Sequence, residues 1–425
     1  MVTMLIEFSV TNFRSFRERQ TLSMVGASFQ DHLETNTFDA GVPGFNRVLR
    51  SAALYGANAA GKTNLLRALQ FMQNLIVNSA GTAPGNPIAY TPFRLSKAAI
   101  LQPSEFEITF IQKGVRYEYG FSLDESLIHT EWLVEYATSK GRTLFERIYD
   151  KRAKKHRWKL SDFLRGKRSV WTHSTRPEAL FLSTAIQLNN TQLIPVYEWF
   201  QKTLVVVVGI TAFNQGLTFG LFDAPNGKQK LLRFLQEADL GIAGIDLIRE
   251  TLPTGAAGGG VFLGQGFIEQ KPGNVPPNLI RITVSHQTDG NDAIGFDFSD
   301  ESSGTQILFN SAGAWLNVLA NGEVLLFDEI DKSLHPKLTR FLIDHFHSNN
   351  TNSRNAQLIF TTHNTSLLDL EIFRRDQIWF VSKQKDLSSN VYPLTDFKPR
   401  NDEIIEKWYM RGKYGAVPFI ENSKK

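Results

Sequence analysis

Residues Ser51 to Asn64 read SAALYGANAAGKTN, and this order decides the fold. A short apolar run ends at Tyr55, and a glycine follows at once. Gly56, Gly61, Lys62 and Thr63 fit GxxxxGK(S/T), and Asn64-Leu65-Leu66-Arg67-Ala68-Leu69 opens a helical pattern. Strand, phosphate-binding loop and helix thus follow in the order a P-loop requires. The backbone N–H groups of Gly56, Ala57, Asn58, Ala59, Ala60 and Gly61 are expected to turn inward on a polyphosphate, which a Cβ at Gly56 or Gly61 would obstruct. The helix N-terminus adds partial positive charge. Lys62 is expected to reach the β- and γ-phosphates, and the Thr63 hydroxyl to ligate Mg²⁺. A glycine-rich turn with an incidental lysine is the competing reading, and the flanking strand and helix argue against it.

Three downstream features narrow the chemistry. Glu323-Val324-Leu325-Leu326-Phe327-Asp328-Glu329 is an apolar strand ending in two acids. Asp328 is expected to hold Mg²⁺ with Thr63, leaving Glu329 to polarise the attacking water as general base. Leu358-Ile359-Phe360-Thr361-Thr362-His363 is a second buried strand, and His363 stands where a γ-phosphate sensor belongs. Asp300-Glu301-Ser302-Ser303-Gly304-Thr305 opens a helix. Hydroxyls and a glycine N–H at such a terminus suit an anion, although a plain helix cap would read the same way.

Composition sets outer bounds. The 425 residues suffice for one or two domains, and 42% apolar with 21% charged residues is ordinary for a globular protein. With no cysteine there is no disulfide and no thiolate metal site. MVTMLIEFSVTNF lacks the basic n-region of a signal peptide. The longest strongly apolar run, near Leu204–Ile210, is far below spanning length, so a cytoplasmic location is expected. Charge is unevenly placed. KRAKKHRWKLSDFLRGKR, Lys151 to Arg168, holds nine Lys/Arg and one Asp within a chain whose net charge is only +4. Lys151, Arg152, Lys154, Lys155, Arg157, Trp158 and Lys159, with Trp171 nearby, form a candidate nucleic-acid or partner patch; a solvated hairpin is the bland alternative.

Along the chain, Leu5–Val10 and Gln20–Met24 read as extended, Asp31–Phe45 as a loop, and Val48–Tyr55 as the strand feeding the P-loop. Alternation from Glu105 predicts an antiparallel meander of three or four strands, which the basic segment closes. Pro177–Gln201 reads as helix interrupted at Pro195, Leu204–Val208 as a β-branched run, and Lys228–Gln236 as helix. Leu252–Asn278, holding PTGAAGGG, GQG, PGN and PPN, reads as one long irregular loop. The last third alternates helix and strand, and no repeat or long heptad run appears.

The order GANAAGKTN, SSGT, VLLFDEID, TTH resembles the ABC-type ATPases of the SMC, RecF and OLD group. That resemblance implies ATP sandwiched between two heads, with Ser302, Ser303, Gly304 and Thr305 contacting the γ-phosphate held by a second subunit. It places Asp331 at the D-loop, and it aligns Asn12-Phe13-Arg14-Ser15-Phe16 with a turn whose arginine, here Arg14, lies near the nucleotide. Leu334-His335-Pro336 looks like the OLD-type continuation. More narrowly, TPFRL, EWL, LFLSTAIQLNN and YMRGKYGAVPF resemble the AbiLi-type bacterial ATPases of abortive infection. The sequence departs from the group in two places. No glutamine occupies the Q-loop position near Pro92–Leu95, and the signature glycine pair is reduced to Ser303-Gly304.

The expected fold is α/β, a P-loop ABC-type ATPase head with an inserted antiparallel β meander and helical subdomain. Residues 1–100 and 279–425 are expected to form the ATPase core, and 101–278 the insertion. The expected cofactors are ATP and Mg²⁺. The expected partners are further copies of the chain, a separate effector such as a TOPRIM-type nuclease, and a phage trigger. Nucleic acid is a further candidate and a membrane is not. Only 62 residues follow His363, too few for a nuclease domain, so cleavage is expected of another polypeptide. A RecF-like repair ATPase clamping duplex DNA is the alternative. A transporter subunit is disfavoured by the absent Q-loop glutamine and the insertions.

Overall fold

A computed structural model describes residues 3–209, 215–238, 240–252, 262–263, 266–269, 276–290, 292–400 and 402–417. The chain divides into two compact units. The first comprises Met1–Gly209, Val318–Asp331 and Leu342–Lys425, the second Ile210–Asn317 and Lys332–Phe341.

The first unit opens with strands β1 (Met4–Thr11) and β2 (Gln20–Ser23), then a hairpin of β3 (Thr37–Val42) and β4 (Phe45–Leu49), then β5 (Ser51–Tyr55). The P-loop follows β5 and leads into the helix Lys62–Asn78. Five strands come next: β6 (Ser104–Gln112), β7 (Val115–Leu123), β8 (Ile128–Tyr136), β9 (Arg142–Asp150) and β10 (Lys155–Leu160). Short helices Arg168–Ser174, Phe181–Gln187 and Ile194–Glu198 precede β11 (Leu204–Val207).

In the second unit the helices Gln215–Asp223 and Gly227–Glu237 precede an antiparallel sheet. Its strands are β12 (Ile242–Thr251), β13 (Phe262–Leu263), β14 (Gly266–Glu269), β15 (Asn278–Gln287) and β16 (Ala293–Asp297), ordered β12-β15-β14-β13 with β16 also on β15. The helix Ser303–Asn321 starts here. The first unit is then completed by β17 (Val324–Phe327), β18 (Gln357–Thr361), β19 (Ile378–Lys383) and β20 (Ser389–Pro393).

A six-stranded sheet, ordered β11-β17-β18-β5-β19-β20, carries the P-loop. All its pairings are parallel except β19 with β20. Every residue of β5, β17 and β18 is buried, as their unbroken apolar runs predict for a parallel sheet covered on both faces. The order β17-β18-β5 sets three carboxyl ends side by side, so the loops after Tyr55, Phe327 and Thr361 converge at one edge.

The meander has five strands where three or four were expected, because the basic segment supplies β10. It is also not self-contained. β6 pairs with β1, giving one antiparallel sheet ordered β10-β9-β8-β7-β6-β1-β2. Alternating burial along β6 leaves one face for the core, where Phe110 stacks on Trp199 at 4.5 Å. A fully buried ion pair fastens the meander to the helix Phe181–Gln187. Arg147 Nε lies 3.0 Å from Glu131, whose carboxylate accepts the N–H groups of Phe181 and Leu182 and the hydroxyl of Tyr119. Gln357, at the start of β18, accepts the Leu5 N–H and donates to the carbonyls of Leu5 and Leu49. That single amide joins the two sheets.

Several local expectations change. Asp31–Phe45 is not a loop but a short helix, Leu33–Asn36, and β3. The Val48–Tyr55 strand is two strands in different sheets, breaking at Arg50. The expected loop Leu252–Asn278 contains β13 and β14, and its residues 253–261, 264–265 and 270–275 lie outside the described residues. Strand pairing across glycine-rich sequence depends on partners far along the chain, which local composition does not display.

Candidate nucleotide site

The P-loop is shaped by what it packs on. Gly56 has φ 157°, and a Cβ there would lie 2.2 Å from the carbonyl oxygen of Val381 on β19. Gly61 has φ 117°, and its Cβ would lie 2.2 Å from Ser389 Oγ and 2.8 Å from Ser15 Oγ. The glycines therefore let the loop sit against β19 and β20, a requirement the sequence reading assigned to phosphate approach. Ser389 Oγ donates to the carbonyl of Ala60, and Ser389 N–H to that of Ser15. Asn64 donates its side-chain amide to Ser15 Oγ at 2.8 Å, so this side chain fixes the loop. Ala57 is half-buried, Ala60 is buried, and Asn58 and Ala59 are exposed at the tip, with Ala59 in the left-handed region at φ 60°. No side chain caps the helix that Lys62 begins, which leaves its first N–H groups for an anion.

Lys62 is 6% exposed, and its Nζ donates to the carbonyls of Gly56 at 2.8 Å and Ala57 at 3.2 Å. Burial lowers its pKa to about 8, against the opposing pull of Asp328, Glu329 and Asp331. Among the described residues this buried ammonium hydrogen-bonds carbonyls alone, which an anionic oxygen can replace.

At the end of β17, one oxygen of Asp328 accepts the Thr63 hydroxyl at 3.0 Å and the Thr361 hydroxyl at 2.7 Å. The Glu329 N–H donates to the same Thr361 Oγ1 at 2.7 Å. Glu329 has φ 54°, a conformation that costs a non-glycine residue about 1 kcal/mol or more and is common at functional sites. Asp331 receives the backbone N–H of His363 on both carboxylate oxygens, at 3.2 and 3.3 Å. The His363 imidazole is depressed below its ordinary pKa, first by burial and then by Lys62, although all three acids oppose this. That shift favours the neutral ring, which donates from one ring nitrogen. The structure thus brings Lys62, Thr63, Asp328, Glu329, Asp331 and His363 to one sheet edge. Sequence reasoning missed Thr361, Ser15 and Ser389. The Thr-Thr before His363 was the available signal for the first; nothing local marked the serines.

Arg14 sits in the turn after β1 with φ 51°, its N–H on the carbonyl of Thr91 at 2.8 Å. Burial and neighbouring Arg67 both lower its pKa, so two guanidinium groups share this surface. Asn12 builds the turn, donating to Ala99 and Gln102 carbonyls and accepting the Phe93 N–H.

In the second unit Ser302 Oγ accepts the Thr305 N–H at 3.1 Å, as a helix cap does. Thr305 is buried, Ser303 exposed and Gly304 half-buried. Ser302 is exposed as well, with its hydroxyl engaged by Thr305.

Lys151, Arg152, Lys154, Lys155, Arg157 and Lys159 are exposed on the β9–β10 hairpin. Arg157 pairs with Asp150 and Lys159 lies 3.8 Å from Glu146. Trp158 packs against Phe181 at 5.2 Å and lies beneath Arg147, while Trp171 is 3% exposed. The hairpin therefore presents cations, with its aromatic rings turned toward the protein.

The residues fit ATP and Mg²⁺. Thr63 Oγ1 and the Asp328 carboxylate, 3.0 Å apart, are the hard oxygen donors a small divalent cation takes. The uncapped helix and buried Lys62 suit a polyphosphate. Among the described residues no helix is long and apolar enough to cross a membrane.

A P-loop on a parallel sheet, an acidic pair on the adjoining strand and a flanking antiparallel sheet define an α/β nucleotide-binding ATPase head of the ABC type. Residues 51–369 match the family described as "AAA domain, putative AbiEii toxin, Type IV TA system", and the chain belongs to that family. None of the curated proteins matches it. Among solved structures, "Crystal structure of the SmcHead bound to the C-winged helix domain of ScpA" is similar at 13% identity and a TM-score of 0.43, over 93% of this chain and 99% of that one.

Proposed function

We propose that this protein hydrolyses ATP as the regulatory ATPase of a bacterial abortive-infection system, controlling a separate effector such as a TOPRIM-type nuclease. The observation that carries the ATPase reading is the Asp328 oxygen shared by Thr63 and Thr361, next to Glu329. In this reading Lys62 and the loop N–H groups bind the phosphates, and Arg14 lies near the nucleotide. Thr63 and Asp328 hold Mg²⁺, which when bound neutralises phosphate charge. Glu329 takes the proton of the attacking water, and His363 donates to a phosphate oxygen. Thr361 keeps Asp328 and Glu329 in register.

Head engagement follows from the SSGT pattern. Ser302, Ser303, Gly304 and Thr305 of one copy complete the site of a second, with Asp331 at the shared boundary. Residues 1–100 and 279–425 carry the nucleotide chemistry in this scheme, and 101–278 carry partner recognition in the cytoplasm. A cycle of closing and opening switches a partner only if the partner prefers one state, by about 1–3 kcal/mol. One of two segments, the β9–β10 hairpin with its exposed cations or the glycine-rich stretch 252–278, is assigned to docking the partner or the phage trigger. Expression of this gene alone should be harmless and give no phage protection, whereas co-expression with its genomic neighbour should protect. Strong protection or DNA cleavage by the single purified protein would overturn the effector model.

A further inference from the structure

Within the second unit, a histidine ties the segment that leads into Ser302–Thr305 to the antiparallel sheet. His286, near the end of β15, is half-buried. Its Nε2 lies 2.7 Å from a carboxylate oxygen of Glu301, and its Nδ1 lies 2.9 Å from the carbonyl oxygen of Gly241, just before β12. Phe296 of β16 flanks the ring at 5.6 Å. Glu301 immediately precedes Ser302, and its side chain is only 11% exposed.

Both ring nitrogens face acceptors. A carbonyl oxygen does not donate, and an ionised carboxylate only accepts, so the two bonds coexist on the doubly protonated ring alone. The hydrogen bond to Glu301 accordingly raises the His286 pKa above its ordinary value, although burial opposes it. Charge-assisted bonds of this kind are short and strong. The main chain of the same segment is held separately. Gln306, in the helix that follows, donates its side-chain amide to the carbonyls of Glu301 at 2.9 Å and Ser299 at 3.3 Å. Glu301 is thus fixed to the helix by its backbone and to β15 by its carboxylate. Left free, that carboxylate would stand two residues from Ser303 and repel a phosphate approaching it. The imidazolium both holds it and cancels its charge.

We propose that His286 is a positioning residue for the nucleotide site shared between two copies, holding Glu301 on β15 so that Ser302 to Thr305 meet the phosphate carried by the other copy. This rests on the head-engagement reading above. His286 touches no nucleotide in this scheme and acts through Glu301. Its effect therefore belongs to the surface a subunit lends its partner, and not to that subunit's own P-loop.

The test is ATPase complementation with His286→Asn. Asparagine keeps a donor for the Gly241 carbonyl but is too short to reach Glu301. Alone, the variant should hydrolyse ATP about tenfold more slowly, the order of loss expected when a hydrogen bond to a charged group is removed. His286→Gln, which returns a donor to the place of Nε2, should regain part of that rate. Mixed with Lys62→Ala, His286→Asn should recover to about a quarter of the activity of the unchanged protein, as Ser303→Arg does with the same partner. Mixed with Ser303→Arg it should recover nothing. The melting temperature establishes folding, and should His286→Asn fail to fold, Glu301→Ala carries the same expectations in both mixtures. Unchanged turnover in the folded variant overturns the proposal. So does a defect that Lys62→Ala fails to relieve while relieving that of Ser303→Arg, an outcome that leaves the shared site standing. If Lys62→Ala relieves neither, the shared site falls and this role of His286 with it.

Discussion

Thr361 Oγ1 donates to the Asp328 carboxylate at 2.7 Å and accepts the N–H of Glu329 at the same distance. One hydroxyl on β18 thus sets the position of both acids at the end of β17. Thr361→Val keeps the shape and removes both bonds. ATP turnover should fall about tenfold or more, since losing buried hydrogen bonds of about 1–3 kcal/mol disorders the carboxylates. Thr361→Ser should retain most of the activity. Steady-state ATPase assays with both variants decide this; equal rates for Thr361→Val and the unchanged protein would refute the role.

Lys62 gives a pH prediction with a definite sign. In the empty protein its ammonium is present below pH 8 and lost above it, because burial lowers its pKa to about 8 from 10.5. ATP affinity should therefore fall by up to tenfold per pH unit above 8, whereas an exposed lysine would hold its affinity to about pH 10. Stability runs the other way, rising as pH passes 8 because the unfolded chain keeps its proton. Lys62→Ala should abolish binding. Equilibrium binding of a labelled nucleotide between pH 7 and 9.5 measures the slope.

What the sequence displayed depended on the range of the interaction. The P-loop, the acidic pair and His363 were legible because each is a local string with a fixed chemical meaning. Thr361 was not, since its hydroxyl acts on residues 32 and 33 positions away in the chain. The same holds for Ser389, which meets the P-loop 329 residues from Ala60. Alternation announced the meander, but its pairing to β1 joins segments about a hundred residues apart. The basic segment looked like one patch from composition. Folding separates it into an exposed hairpin and a turn that walls a cavity.

The shared-site model predicts complementation. Ser303 is exposed, so Ser303→Arg blocks a facing subunit with little cost to its own fold. Gly304 suits the test less well, because a Cβ there would meet the Ser333 carbonyl at 3.0 Å. Each of Lys62→Ala and Ser303→Arg should be inactive alone. A mixture should recover up to about a quarter of the activity of the unchanged protein, the share expected from random pairing into dimers with one intact composite site in half of them. No recovery from folded, associated proteins would contradict the model.

The β9–β10 hairpin predicts salt-sensitive nucleic-acid binding. Lys151, Lys154 and Lys155 are exposed, and each phosphate contact contributes a log–log salt slope of about −0.9 on duplex DNA. Changing all three to Glu should weaken binding steeply at low salt and flatten the slope by about 2 to 3. Fluorescence anisotropy with a labelled duplex across a salt series reads both. If the unchanged protein shows no salt-dependent binding, the nucleic-acid role of the hairpin is refuted.

The most direct test of the ATPase account is the Glu329→Gln protein. The substitution keeps the size of the side chain at φ 54° and one acceptor oxygen, and removes its negative charge and its basicity. A general base contributes about 10²- to 10⁴-fold to rate. ATP affinity should stay within a few-fold of that of the unchanged protein, and hydrolysis should be at least 100-fold slower in a single-turnover assay with radiolabelled ATP. Hydrolysis at the unchanged rate would contradict that account.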